Sequence, residues 1–191
     1  MPYFYEGSNI IEDHKPESME KFFFFISGIV VSVPLTLFTS TFTSQLCFIM
    51  PLFYAQICST AIFTPFIEEF AKAYPLFYRH GETERSIFTL GFLTGLGFGL
   101  SEFIVFVFQR GAPIAFRLPG ILFHAASTSI TSFGIAKKRP YRFYTLAVSL
   151  HFLNNFTALL GVIWFLGGIA ALAGSYYASW YLYRKIRNEF R

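Results

Sequence analysis

SIFTLGFLTGLGFGLSEFIVFVF, residues 86–108, decides the fold. Its apolar and small residues are interrupted by one ionisable group, Glu102. As a helix the stretch is long enough to cross a hydrocarbon core of roughly 30 Å. Gly91, Gly95 and Gly99 recur every four residues along one face, and Glu102 follows three residues later on the same stripe. Such a stripe lets a neighbouring helix approach closely and presses Glu102 against a partner helix instead of lipid.

The rest of the chain has the same character. Of 191 residues, 54% are hydrophobic and 14% charged, and 27 are phenylalanine. Soluble domains carry roughly 25% charged residues, so lipid must act as the solvent for much of this surface. The net charge is +4, but the basic residues stand at the ends of apolar runs, where they act as topology signals. No basic face interleaved with polar groups is present, which excludes a nucleic-acid partner.

Six membrane segments are predicted: Phe22–Thr43, Leu46–Tyr78, Ser86–Phe108, Pro113–Ala136, Phe143–Leu160 and Val162–Tyr183. The loops are short, and no repeat or soluble domain interrupts them. The expected fold is an all-α polytopic membrane bundle, a single domain over residues 1–191. It has a polar cytoplasmic tail at 1–21, without a cleavage-site pattern, and a basic cytoplasmic tail at 184–191. The second segment would span about 50 Å as one helix, so it must tilt or break, with Pro51 and Pro65 as break points.

Charge asymmetry favours six crossings. Twelve Lys and Arg then share one side, against only Arg110 and Arg117 on the other, whereas splitting the second segment gives ten against four. The positive-inside rule places both termini in the cytoplasm. Cys47 and Cys58, on one helix, would stand about 16 Å apart, too far for a disulfide. Both are expected to be small packing residues.

Within the apolar segments lie Glu68, Glu69, Glu102, His124 and His151, with Lys72 near the predicted cytoplasmic edge. A central carboxylate costs about 2.5–3.5 kcal/mol to insert, so such groups face the bundle interior and serve a purpose. Measured from the basic belt at about 1.5 Å per residue, Glu68, His124 and His151 lie very roughly 14–20 Å deep, and Glu102 somewhat deeper. Four helices thus place polar groups in one layer.

Glu68 and Glu69 point about 100° apart on a helix. Either one can pair with Lys72 and leave the other for chemistry. His151 and Asn155 share a face, with Asn154 beside them, and imidazole and amide can together donate to an oxyanion. Ser127 and Thr128 follow His124 on its own face, where either could fix its tautomer. His14 and His80 fall in polar ends and are expected to be solvated.

H-E-x-x-H is absent, which excludes the usual zincin helix. Gly99-Leu100-Ser101 is similar to the serine motif of rhomboid proteases, but a serine mechanism leaves the carboxylates without a role. The remaining groups suit hydrolysis. A buried glutamate can serve as general base to a water while His and Asn stabilise the oxyanion. Alternatively, Glu and His, with Glu69, Glu102, His124 and His151 as candidates, can hold a divalent metal such as zinc. The first route needs no cofactor.

Glu68-Glu69-Phe70-Ala71-Lys72 resembles an E-E-x-x-K motif, and Phe98 to Glu102 resembles F-x-x-x-E. With His124 and His151-x-x-x-Asn155 following in order, the stretch from Pro65 to Asn155 resembles the PrsW intramembrane proteases. Those are relatives of the CAAX prenyl proteases and bacteriocin-processing enzymes. The resemblance implies catalytic roles for Glu68, Glu69, Glu102, His124, His151 and Asn155, with Lys72 and Phe98 in support. It also implies membrane-anchored protein substrates, whether prenylated or like the anti-sigma factors associated with that family. Two other functional classes fit the residues: proton or ion transport through the buried Glu and His, and a non-catalytic scaffold, as in the γ-secretase subunit of the wider superfamily. A bis-histidine haem protein would leave the carboxylates unexplained.

Overall fold

The computed structural model describes residues 16–78, 83–161 and 164–189. Lys15 and the tail before it, with His14, lie outside the described residues. So do Arg79 and His80 of the second loop, Val162 at the predicted start of the last segment, and Arg191. Among the described residues the chain forms long antiparallel helices: α1 Ser18–Cys47, α2 over 52–73, α3 Glu84–Gln109, α4 Ile114–Ala136, α5 Pro140–Leu159 and α6 Trp164–Glu189. A short helix, Pro75–Tyr78, follows α2. By length and composition, α1 and α3 are each able to cross a membrane.

Burial is inverted relative to a water-soluble protein. Phe38, Phe42, Leu52, Phe116, Leu166 and Trp180 are among the large apolar side chains facing outward. The interior holds about as many polar as apolar side chains, including Ser127, Thr128, Ser129, Thr131 and Ser132 of α4. Small hydroxyl residues can return their hydrogen bonds to the helix backbone, as Thr128 does to the His124 carbonyl at 2.8 Å. They let helices approach closely where lipid gives no hydrophobic reward for association. Phe123 to Gly134 is buried throughout, so α4 is the central helix, against which α3, α5 and α6 pack.

The glycine stripe seats α3 on α4. A methyl group at Gly95 would lie 2.3 Å from the His124 carbonyl oxygen and 2.9 Å from the Ala125 Cα. A second face of α3 does the same against α1, where a Cβ on Gly97 would meet the Phe25 carbonyl at 2.0 Å. Both contacts are backbone to backbone, so neither can yield. Thr83 starts α3 by accepting the Ser86 N–H at 3.1 Å, satisfying one of the unpaired donors of the first turn.

The predicted second segment is corrected at its start. Leu46 and Cys47 belong to α1, the chain turns over Phe48–Met50, and Pro51 caps α2. The remaining helix, at 22 residues, is about 33 Å long, which removes the length problem. Pro65 does not break it. A π-helical stretch, Ile57–Phe63, precedes that proline, as another, Gly28–Ser32, precedes Pro34. The wider register makes room for a ring that would otherwise clash with the carbonyl one turn earlier.

The turn also overturns the expectation for the cysteines. Cys47 ends one helix and Cys58 lies in the next, which runs back alongside it. Their Cα atoms are 5.7 Å apart and the two form a disulfide. The 16 Å estimate assumed a single straight helix. Unfolded but unreduced protein should therefore take up no maleimide, and reduced protein two equivalents; labelling without reduction would contradict the bridge.

Candidate active site

Four helices deliver the ionisable residues to one place. Pro65 and the π turn set the start of the Thr64–Ala73 stretch of α2, which brings Glu68, Glu69 and Lys72 inward, all three buried. The choice left open by the sequence is resolved: Lys72 pairs with Glu69, Nζ to Oε1 at 2.6 Å. Lys72 is fully buried within the cluster. Its ammonium also reaches His124 Nδ1 at 3.0 Å and Ser127 Oγ at 3.2 Å, and it lies 5.4 Å from the Phe98 ring centre.

Donor logic fixes the imidazoles. An ammonium only donates, so His124 Nδ1 accepts and Nε2 carries the proton. That N–H donates to Glu102 Oε2 at 2.5 Å, joining α4 to α3. Ser127 and Thr128 do not touch the His124 ring, contrary to expectation. Thr128 donates to the His124 carbonyl, and the single Ser127 hydroxyl proton is shared between that carbonyl and Glu69 Oε1, each at 3.1 Å. His151 Nδ1 lies 2.9 Å from Glu69 Oε1, and its Nε2 faces Glu68 Oε2 at 3.6 Å. Glu69 thus accepts from Lys72, Ser127 and His151 at once. A carboxylate that orients a histidine this way is a recurring support of metal ligands.

Glu68 is the loose member. Its Oε2 is buried without a hydrogen-bond partner. Ligand atoms of Glu68, His124 and His151 lie within 4.8 Å of one another, close enough to hold one ion. Two imidazoles and a carboxylate form a zinc-type donor set. His151 Nε2 and the orphaned Glu68 oxygen fit that role as they stand. His124 would fit through Nε2 if the ring stayed neutral with its proton on Nδ1, which requires Lys72 to turn from Nδ1 to Glu69 and Ser127. Of the expected metal candidates this set keeps His124 and His151, adds Glu68, and leaves out both Glu69 and Glu102.

A cavity of about 550 Å³ opens onto the cluster. Glu102, His124, His151, Asn154 and Asn155 line it; Glu68, Glu69 and Lys72 lie behind. Asn155 is held on both sides, its Nδ2 donating to the Thr60 carbonyl at 3.1 Å and its Oδ1 accepting from Asn154 at 3.1 Å. Phe98 packs edge-on against His124, and Phe123 lies against both imidazoles at 5.5 and 5.3 Å. Phe123, and the use of Ser127 as a bridge to Glu69, were not foreseen. An aromatic beside a histidine is unremarkable in a chain with 27 phenylalanines.

Among the described residues the chain is all-helical, and its buried Glu–His–Lys cluster beside a cavity is an arrangement suited to a membrane-embedded hydrolase. Residues 21–182 match the model of the PrsW family of intramembrane metalloproteases. The chain belongs to that family. No curated protein and no solved structure matches it.

Removing the Lys72 charge would strand Glu69 in the interior. Lys72→Met is expected to lower stability by about 3–5 kcal/mol, and the double change with Glu69→Gln to recover much of it. Thermal unfolding in detergent reads both; equal melting of wild type and Lys72→Met would refute the pairing.

Proposed function

We propose that the chain is a six-span intramembrane endopeptidase, one membrane domain over residues 1–191, acting on membrane-anchored proteins. Both termini are cytoplasmic. The distribution of Lys and Arg supports this orientation, and the disulfide adds independent support. Cys47 and Cys58 fall at the end of the bundle opposite Ser18 and Glu189, where the first helix starts and the last one ends, and disulfides persist on the oxidising side of a membrane.

The observation that carries the reading is the cavity wall. Glu102 is the carboxylate that faces the cavity, 29% exposed, and it stands beside two imidazoles and two amides. A substrate carbonyl lying there meets a base, proton donors and oxyanion donors together. Glu102 takes the proton of the attacking water, and a proton returns to the leaving amine as the peptide C–N bond breaks. The amide N–H groups that Asn154 and Asn155 do not spend on each other or on Thr60 donate to the developing oxyanion. Glu68, His124 and His151 would hold the divalent ion implied by the family, which when bound lowers the pKa of a water. Glu69 and Lys72 keep His151 and His124 oriented.

Purified protein reconstituted with single-pass substrates tests this. Wild type should yield discrete fragments and carry about one divalent ion per chain. Glu102→Gln should keep the ion and cleave about 10²–10⁴-fold more slowly. Glu68→Gln and His151→Ala should lose both ion and cleavage. Full activity in metal-free protein would assign water activation to glutamate alone, and full-rate cleavage by all three variants would remove these residues from the mechanism. Ion flux without cleavage would make the chain a transporter.

A further inference from the structure

The cavity continues well past the catalytic layer and ends on a positive charge. Arg117 lies on its wall with Phe106, Pro113 and Phe116. It stands seven residues before His124 on α4, two helical turns and about 10.5 Å along the same face. Its guanidinium is half-buried and stacked on the Phe106 ring, 3.6 Å from the centre. Arg110 takes the same ring at 4.8 Å. Neither arginine has a carboxylate within salt-bridge distance among the described residues, although the Arg117 charge acts at longer range on Glu102 of the same wall, whereas Lys137 at the other end pairs with Glu84 at 2.7 Å.

Two guanidinium groups on one ring repel each other. An anion placed between them and the cavity relieves that repulsion and gains charge-assisted hydrogen bonds from a planar donor fork. Arg117 is folded into the wall that also carries Glu102 and His124, so whatever lies across the catalytic groups passes it. An extended peptide advances about 3.3 Å per residue, so 10.5 Å corresponds to about three residues.

We propose that Arg117 is a specificity-determining residue that binds an aspartate or glutamate side chain of the substrate. That side chain lies about three residues from the scissile bond, toward the disulfide end of the bundle. This rests on the protease reading of the cavity.

The test uses reconstituted protein and single-pass peptides in which one glutamate is moved along the relevant half, with glutamine elsewhere. Wild type is expected to favour the peptide with glutamate about three residues from its cleavage point by about tenfold over the all-glutamine peptide. In Arg117→Gln that ratio should fall to about one, and in Arg117→Glu a lysine there should become the preferred residue. The same ratios are read as peptide affinities in the Glu68→Gln background, so loss of turnover hides nothing. A flat profile in wild type, or an unchanged ratio in Arg117→Gln, overturns the proposal. So does a uniform loss for every peptide that tracks the anionic lipid content of the vesicles, which would give Arg117 to a lipid phosphate. If wild type cleaves no peptide, the protease reading fails separately, while the affinities still report on Arg117.

Discussion

One ion pair, Lys72 with Glu69, holds the centre of this molecule. Each charge alone would cost several kcal/mol to bury, and their mutual attraction offsets that cost only if the remaining donors and acceptors are also met. His124 and Ser127 of α4 meet the ammonium, and Ser127 and His151 of α5 meet Glu69 Oε1, which leaves Glu69 Oε2 as the one buried oxygen of the pair without a partner. The pair therefore fixes three helices relative to one another. It also sets the ring orientation of both histidines, so the same bonds that stabilise the interior arrange the candidate site. Only Glu68 and Glu102 retain freedom to change partners.

The outer surface follows from the same economy. With lipid outside, apolar side chains gain little by turning inward, and helices are held by close approach and polar contacts. Gly95 and Gly97 allow that approach on two sides of α3. The hydroxyl-rich run of α4 fills the interior with small groups that satisfy themselves on their own backbone. A polar reaction site thus fits into the bundle without a large apolar core being displaced.

Much of this was legible in the chain itself. The apolar runs and the glycine spacing gave the helices and the α3–α4 contact, and the titratable residues at matching depth indicated a shared site. The placement of Glu102 three residues past Gly99 correctly implied a partner on the adjoining helix, His124. What could not be read were details that depend on rotation about helix axes. Which glutamate meets Lys72, and whether Ser127 turns to its own ring or to Glu69, are decided by a few tens of degrees. The cysteines were misread because spacing along a sequence gives distance only while the helix continues, and a turn at Phe48–Met50 ends it. Of the two prolines that offered a break, Pro51 marks the turn and Pro65 does not, since a π register absorbs its ring.

Besides the His151–Glu69 contact, two further polar straps join α2 to α5, and both end on main-chain oxygens. Asn155 donates to the Thr60 carbonyl and Tyr144 to that of Phe66. Because the acceptors are backbone atoms, the hydrogen bonds make no demand on the side chains at 60 and 66, although the Phe66 ring also lies tilted against Tyr144 at 6.3 Å. The hydrogen-bonded part of the grip of one rod on the other is thereby uncoupled from the chemistry of its outer face, which leaves the rest of that face free to drift with membrane composition while the reactive layer stays aligned.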